Sequence, residues 1–229
     1  VLPNALQLAV EHGHFATHPM HRVRWRTPRT AEAVDPACVV TPEQARALLA
    51  AVPTVPHGAR LAAFFGCLYY VGTRPGEALA LREVDLDLPE TEGEWGWLRL
   101  CGNDPEVTTT WTDTGRRSTR QLKHRAVGEV RVVPCPPPLV ALLRQHISAD
   151  GVGLDGRLFR GPRAGAVKES EYTQVWQDAR AKALSPVETA SLLVRRPYDL
   201  RHSCVSTWLA AGVDAAQIAT WVGHSVGVL

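Results

Sequence analysis

Val71-Gly72-Thr73-Arg74-Pro75-Gly76-Glu77-Ala78-Leu79-Ala80-Leu81 marks the end of one helix and the start of the next. The apolar run before it, from about Ala59 to Val71, reads as a buried helix, and Gly72 closes it. Thr73 or Arg74 then caps a new helix. Pro75 falls in its first turn, where a missing N–H costs nothing, and Glu77 sits close to the positive end of the helix dipole. This helix is expected to run to about Arg82.

Upstream, Thr41-Pro42-Glu43-Gln44 is a full helix start, with Thr as N-cap, Pro at N1 and Gln at N3 to reach back. That helix runs to about Ala51. Asn4 to His12 reads as an amphipathic helix stopped by Gly13. Downstream, Trp97 to Cys101 is a short strand. Ser118 to Ala126 and Glu129 to Pro134 flank Val127-Gly128 as a hairpin. Pro137 to Ala149 is helical, with Leu139, Leu142, Leu143 and His146 on one face, and Arg157 to Arg160 reads as one more strand. Ser170 caps a helix to about Leu184. Asp199 to Ala211 is helical and closed by Gly212; Asp214 caps a last helix to Val222, closed by Gly223. Helices, a small antiparallel sheet, then helices make an α+β fold, mainly helical, rather than an alternating β-α-β one.

At 229 residues and 25.0 kDa the chain is expected to hold about one and a half domains. Hydrophobic residues make up 45% and charged residues 21%, which excludes a disordered or collagen-like chain. No apolar run reaches the roughly 18 residues of a membrane helix, and no secretory pattern is present. The chain starts at Val1 and its one methionine is Met20, so a trimmed fragment is expected. Cys38, Cys67, Cys101, Cys135 and Cys204 are scattered and odd in number, the pattern of reduced thiols in a cytoplasmic protein.

The net charge of +2 hides segregation. Glu77 to Glu106 holds nine acids against Arg82 and Arg99, whereas Arg116 to Arg131 holds six basic residues against Glu129 alone. A basic face of that kind suits a polyanion. Lys123, Lys168 and Lys182 are the only lysines; the other basic residues are arginines, which favour bidentate phosphate contacts. His14 to Pro36 is a linker rich in Arg22, Arg24, Arg26 and Arg29. It reads either as a solvated connector or as a basic strap along a phosphate backbone. His12, His14, His18 and His21 lie close in sequence, but no acidic or Cys ligand joins them to suggest metal.

Chemistry concentrates at separated positions that helix starts and hairpin tips can aim into a cleft: Arg74, Lys123, Tyr198, Arg201, His202 and His224. There is no paired-carboxylate site, no Gly-rich phosphate loop and no Ser–His–Asp order. Two Arg, one Lys and one His make a site for an anion, and a phosphodiester is the obvious one.

These residues resemble the tyrosine recombinase (phage integrase) family. The stretch 71–81 looks like the family's first box, with its first catalytic Arg. Tyr198-Asp199-Leu200-Arg201-His202, followed by Ser206-Thr207-Trp208-Leu209 and Gly212, is similar to the second box. Val222-Gly223-His224-Ser225 is similar to the third. Leu122-Lys123-His124-Arg125 and Val132-Val133-Pro134 resemble the hairpin that carries the family's Lys. The phrasing is similar to actinobacterial integrases. The resemblance covers about Thr41 to Leu229 and implies that 41–229 is the catalytic domain. Residues 1–13 would then be the last helix of a preceding core-binding domain, and 14–40 a basic interdomain linker.

The resemblance implies roles. Arg74 and Arg201 would clamp the non-bridging oxygens of the scissile phosphate, where each preorganised donor is commonly worth about 3–4 kcal/mol. Lys123 would protonate the 5′-hydroxyl leaving group, and His224 would donate a further hydrogen bond. Glu77 would hold its helix or partner an Arg, and His202 would pack or hydrogen-bond internally. Arg120 and Arg125 compete with Lys123 as the hairpin's functional cation; with Arg22, Arg24 and Arg26 they are the candidate DNA-backbone contacts. Implied partners are double-stranded DNA attachment sites, three further protomers in a tetramer, and a directionality factor. No metal or other cofactor is implied.

Two departures stand out. The second box usually opens with His, and here it is Tyr198; a phenol that titrates near about 10 is a poor base at neutral pH, but it can still donate a hydrogen bond to the phosphate and is kept in the site. The family's nucleophilic Tyr follows the third-box His, but this chain ends five residues after His224, at Leu229, and its tyrosines are Tyr69, Tyr70, Tyr172 and Tyr198. The fragment is therefore expected to hold a phosphate without cutting. Other readings are a non-catalytic DNA-binding remnant, a helix-turn-helix regulator built on Ser203 to His224, and a type IB topoisomerase.

Overall fold

Thr41 starts its helix as its neighbours dictate. Its hydroxyl accepts from the Gln44 N–H at 3.2 Å, while the Gln44 side chain accepts from the Thr41 N–H at 3.0 Å. The computed structural model describes residues 2–23, 35–102, 130–162 and 165–224. The chain divides into two units, Val1–Glu32 and Ala33–Leu229. The first contains helix α1 (Leu2–Glu11), which buries no residue. Gly13, at φ +74°, closes it.

The second unit holds α2 (Pro42–Ala51), α3 (Ala62–Tyr70), α4 (Pro75–Ala80), β1 (Leu86–Asp87), β2 (Gly96–Leu100), β3 (Arg131–Cys135), α5 (Pro137–Asp150), α6 (Glu169–Ala183), α7 (Pro186–Ala190), α8 (Asp199–Ala210) and α9 (Ala215–Val222). It is mainly helical with a small antiparallel sheet, the α+β class that the sequence predicts. Helix α3 is apolar on every side and therefore central; it packs against α4, α5 and α8. Phe64 and Phe65 sit at its heart, with the Trp176 ring 5.0 Å from Phe65 and the Tyr172 ring 5.1 Å from Phe64.

The sheet order is β1-β2-β3, antiparallel throughout. Leu98 faces Val133 and Leu100 faces Arg131, so the inward side of β3 carries Arg131, Val133 and Cys135. The other half of the expected hairpin, Ser118 to Ala126, lies outside the described residues.

Several expectations need correction. Arg157 to Arg160 forms no strand; a single bridge pairs Arg157 with Arg82, and the Leu158 N–H reaches the Leu81 carbonyl at 3.1 Å. Helix α4 stops at Ala80 rather than Arg82, because Leu81 turns extended and feeds that contact. Helix α6 is capped at Lys168, not Ser170. Helix α7 was not foreseen, although Ser185-Pro186-Val187-Glu188 is another complete capping box.

Helix α6 also fixes the approach to α8. Trp176 Nε1–H donates to the Val194 carbonyl at 2.7 Å, and the buried Arg180 donates to the carbonyls of Thr189 and Leu193 at 3.0–3.2 Å. The segment that leads into Tyr198 is thus tied to the core.

Candidate active site

The turn that separates α3 from α4 needs Gly72 at φ +62°, and Arg74 follows as the N-cap of α4. Glu77, one turn on, is 1% exposed and accepts from the Arg74 N–H at 2.9 Å and from Arg74 Nη1 at 2.7 Å. The carboxylate also takes both nitrogens of Arg131, Nη2 at 2.6 Å and Nη1 at 3.3 Å. Arg201 Nη1 lies 3.9 Å from it. Burial alone would raise the Glu77 carboxyl, but Arg131, Arg74 and Arg201 overcome it and hold the pKa below the usual carboxylate range.

Arg201 projects from the first turn of α8 and is fully buried. It donates short bonds to the carbonyls of Gly72 and Val222. Its Nη2 also sits 2.9 Å from His224 Nε2. Burial first, then the nearby Arg74, lowers its pKa to about 10, so it stays charged at neutral pH.

A guanidinium can only donate, so His224 Nε2 must accept and Nδ1 must carry the ring proton. Burial, then Arg201 and Arg74, pushes His224 down to about 4, so the ring is neutral at pH 7. The backbone closes the arrangement: Arg74 Nη2 donates to the Gly223 carbonyl at 3.1 Å.

Arg74, Glu77, Arg201 and His224, far apart in sequence, therefore form one cluster. Arg74 keeps a side-chain exposure of 15% and forms its solvent edge. Tyr198 caps α8 from outside, its ring 5.1 Å from that of His202 at 70°. His202 is half-buried, and burial holds its pKa below the ordinary histidine value. Tyr198 lines an open groove of about 450 Å³ with Pro75, Glu169, Gln177 and the exposed Arg195 and Arg196, the last paired with Asp199 at 3.0 Å. Lys123, Arg120, Arg125, Arg24, Arg26 and the side chain of Arg22 lie outside the described residues. Among the described residues no three His, Cys, Asp or Glu side chains gather to hold a metal ion, and no helix is long and apolar enough to cross a membrane.

Arg131, Arg195 and Arg196 are additions that the sequence reading missed. Arg131 had a signal, since it alone breaks the apolar alternation with Val133 and Cys135 on β3.

Three guanidiniums, Arg74, Arg131 and Arg201, face a single carboxylate, so positive charge is left over for an anion. An oxyanion at the Arg74 edge would meet fixed guanidinium donors and the electropositive surroundings of a neutral imidazole.

Gly223 is the hinge of the cluster. It stands at φ +69°, and a Cβ there would come within 2.2 Å of Arg131 Nη1. Gly223→Ala is expected to cost about 1–3 kcal/mol and to displace His224, because both the αL backbone and the guanidinium beneath it resist. Urea denaturation checks this; an unchanged midpoint would contradict it.

Residues 39–227 match the phage integrase family. Tyrosine recombinase XerC of Chlorobaculum parvum is 26% identical over 167 residues, covering 69% of this chain and 40% of that protein. The chain thus spans less than half the length of that relative. Among solved structures, the Tn1549 transposon integrase in complex with a circular intermediate DNA aligns over 99% of this chain and 70% of its own, with a TM-score of 0.66 at 16% identity. XerA recombinase aligns over 98% and 66%, with a TM-score of 0.58 at 19% identity. These two likenesses concern the fold.

Proposed function

The chain belongs to the phage integrase family, and from that premise we propose that residues 33–229 carry the strand-cutting and rejoining centre of a site-specific DNA recombinase. The observation that carries this reading is the convergence of Arg74 and Arg201, from two separate helix starts, on one buried carboxylate, with His224 held against Arg201 at 2.9 Å.

The reaction is a transesterification. A Tyr hydroxyl attacks a backbone phosphate, a 3′-phosphotyrosyl bond forms as the bond to the 5′ oxygen breaks, the 5′-hydroxyl leaves with a proton that we assign to Lys123, and the proton given up by the Tyr restores that lysine. The covalent bond stores the energy of the broken phosphodiester, so rejoining needs no ATP. Arg74 and Arg201 stabilise the charge that develops on the non-bridging oxygens, and His224 Nδ1–H is a further donor. In the DNA complex a phosphate oxygen takes the place of the Val222 or Gly223 carbonyl, which now occupy those guanidiniums.

Tyr69 and Tyr70 are not suited to attack: they lie in α3, and burial pushes both phenols up. No Tyr among the described residues is assigned as the nucleophile. The groove beside Tyr198, with Arg195 and Arg196, is a track for the DNA backbone next to the cleaved phosphate. Partners are duplex attachment sites, further protomers in a tetramer, and a directionality factor, and the compartment is the bacterial cytoplasm.

The test is covalent trapping on a nicked duplex that loses its 5′-hydroxyl strand after cleavage. The protein, with whatever coding sequence continues past Leu229, is expected to form a protease-sensitive 3′ adduct that Arg74→Ala abolishes. DNA binding without an adduct from any extended version would instead establish a non-catalytic DNA-binding protein.

A further inference from the structure

We propose that Arg131, the first residue of β3, is a positioning residue for this centre: it fixes the Glu77 carboxylate that aims Arg74, and it supports the turn that carries His224. The inference rests on the recombinase reading above.

Arg131 is 2% exposed, so it is not placed to touch DNA. Its register puts it opposite Leu100 on the inward side of the sheet, where Val133 and Cys135 are its in-phase neighbours. An aliphatic side chain would suit that stripe, and a buried guanidinium there carries a desolvation cost that only close pairing offsets. The pairing is close: both Nη atoms reach both oxygens of Glu77, at 2.6 and 3.3 Å. A two-pronged contact fixes the plane of a carboxylate, which a single point charge does not.

That plane decides where Arg74 points. Glu77 Oε1 receives Arg74 Nη1, and Oε2 receives the Arg74 backbone N–H, so the carboxylate holds both the side chain and the helix start. The same guanidinium underlies Gly223, the residue whose Cβ it would exclude. Arg131 therefore joins the first and third boxes from an element that belongs to neither. Among the described residues, the charged or titratable groups facing Glu77 are Arg74 from the start of α4, Arg131 from β3 and Arg201 from α8; His224, at the end of α9, bears on it through Arg201.

The test separates positioning from folding and from the parent reading. Cleavage at saturating suicide duplex, duplex affinity and thermal midpoint are measured for wild type, Arg131→Met and Arg131→Lys, with Arg201→Ala as the reference for a lost clamp. Arg131→Met is expected to slow cleavage about ten- to a hundredfold with affinity within about twofold. Arg131→Lys is expected to keep the fold and recover only part of the rate. In the free protein, NMR of the Arg74 guanidinium N–H groups is expected to show faster exchange in both variants.

Wild-type cleavage and wild-type Arg74 exchange in Arg131→Lys and Arg131→Met would overturn the inference and leave the recombinase reading standing. Rate, affinity and midpoint falling together in both variants would also overturn it, as a purely structural role. A wild type that binds duplex but never cleaves, in any version extended past Leu229, would defeat the recombinase reading, and this inference with it.

Discussion

Arg201→Ala is expected to lower the rate of strand cleavage by about a thousandfold or more while leaving most of the DNA affinity intact. The two effects separate because they have different origins. Affinity for duplex DNA comes from many phosphate contacts, each a small share of the total. In the proposed reaction the charge on the reacting phosphorus concerns one phosphate only, and Arg201 is the most deeply buried of the proposed donors. The fork geometry matters as well as the charge. Arg201 donates to Gly72 O and Val222 O and faces His224 Nε2, so it ties α8 to two other chain segments at once. Arg201→Lys keeps the cation but lacks the planar fork, and is expected to stay within about tenfold of the alanine variant. Single-turnover cleavage of the nicked duplex, with a filter-binding measurement on the same preparation, decides it. A lysine variant that cleaves at the wild-type rate would mean that charge alone suffices.

What the sequence made legible was local. Thr41, Asp214 and Gly223 announce helix ends through bonds to residues two to four positions away, and Gly72 through its positive φ, and the observed ends follow those signals closely. The Asp214 carboxylate accepts from the N–H groups of Ala216 and Gln217 at 2.9 and 3.0 Å. The strand expected over Arg157 to Arg160 failed for the opposite reason. A strand needs a partner along its length, and among the described residues that segment has a single bridge, to Arg82. Helix α7 shows a different lapse, since Ser185 and Glu188 make the same reciprocal bonds as Thr41 and Gln44.

At the site, Arg74, Glu77, Arg201 and His224 stand in recognisable boxes, yet nothing in those boxes says that a single carboxylate joins them. Arg131 was hidden because its role depends on the register of β3 against β2. A shift of one residue would turn it to the solvent side and bring Val132 inward.

Glu77→Gln is expected to be the most destabilising single change in the cluster, at about 3–5 kcal/mol. An amide is nearly the shape of the carboxylate, so the loss is one of charge and of acceptors. One of its two ends is an NH₂ group, which must face a guanidinium that also only donates. Arg131 and Arg201 are then left buried beside each other with no anion between them.

Acid should do the same to the wild type. Glu77 titrates lower in the folded protein than in the unfolded chain. Its stabilisation is therefore present above the unfolded carboxyl value, near about 4.3, and is lost as pH falls through the folded value. His224 acts earlier in the same direction: it accepts a proton near about 6.5 when unfolded but only at about 4 when folded, so stability drops as pH falls between those two values. Thermal midpoints of wild type and Glu77→Gln should therefore stand well apart at pH 7, with the wild type higher. The gap should close once pH passes below the carboxyl range, because only the wild type has a Glu77 charge to lose. A gap that stays constant from pH 7 to the acid limit would show that the amide disturbs packing and that the charge at Glu77 does not hold the guanidiniums.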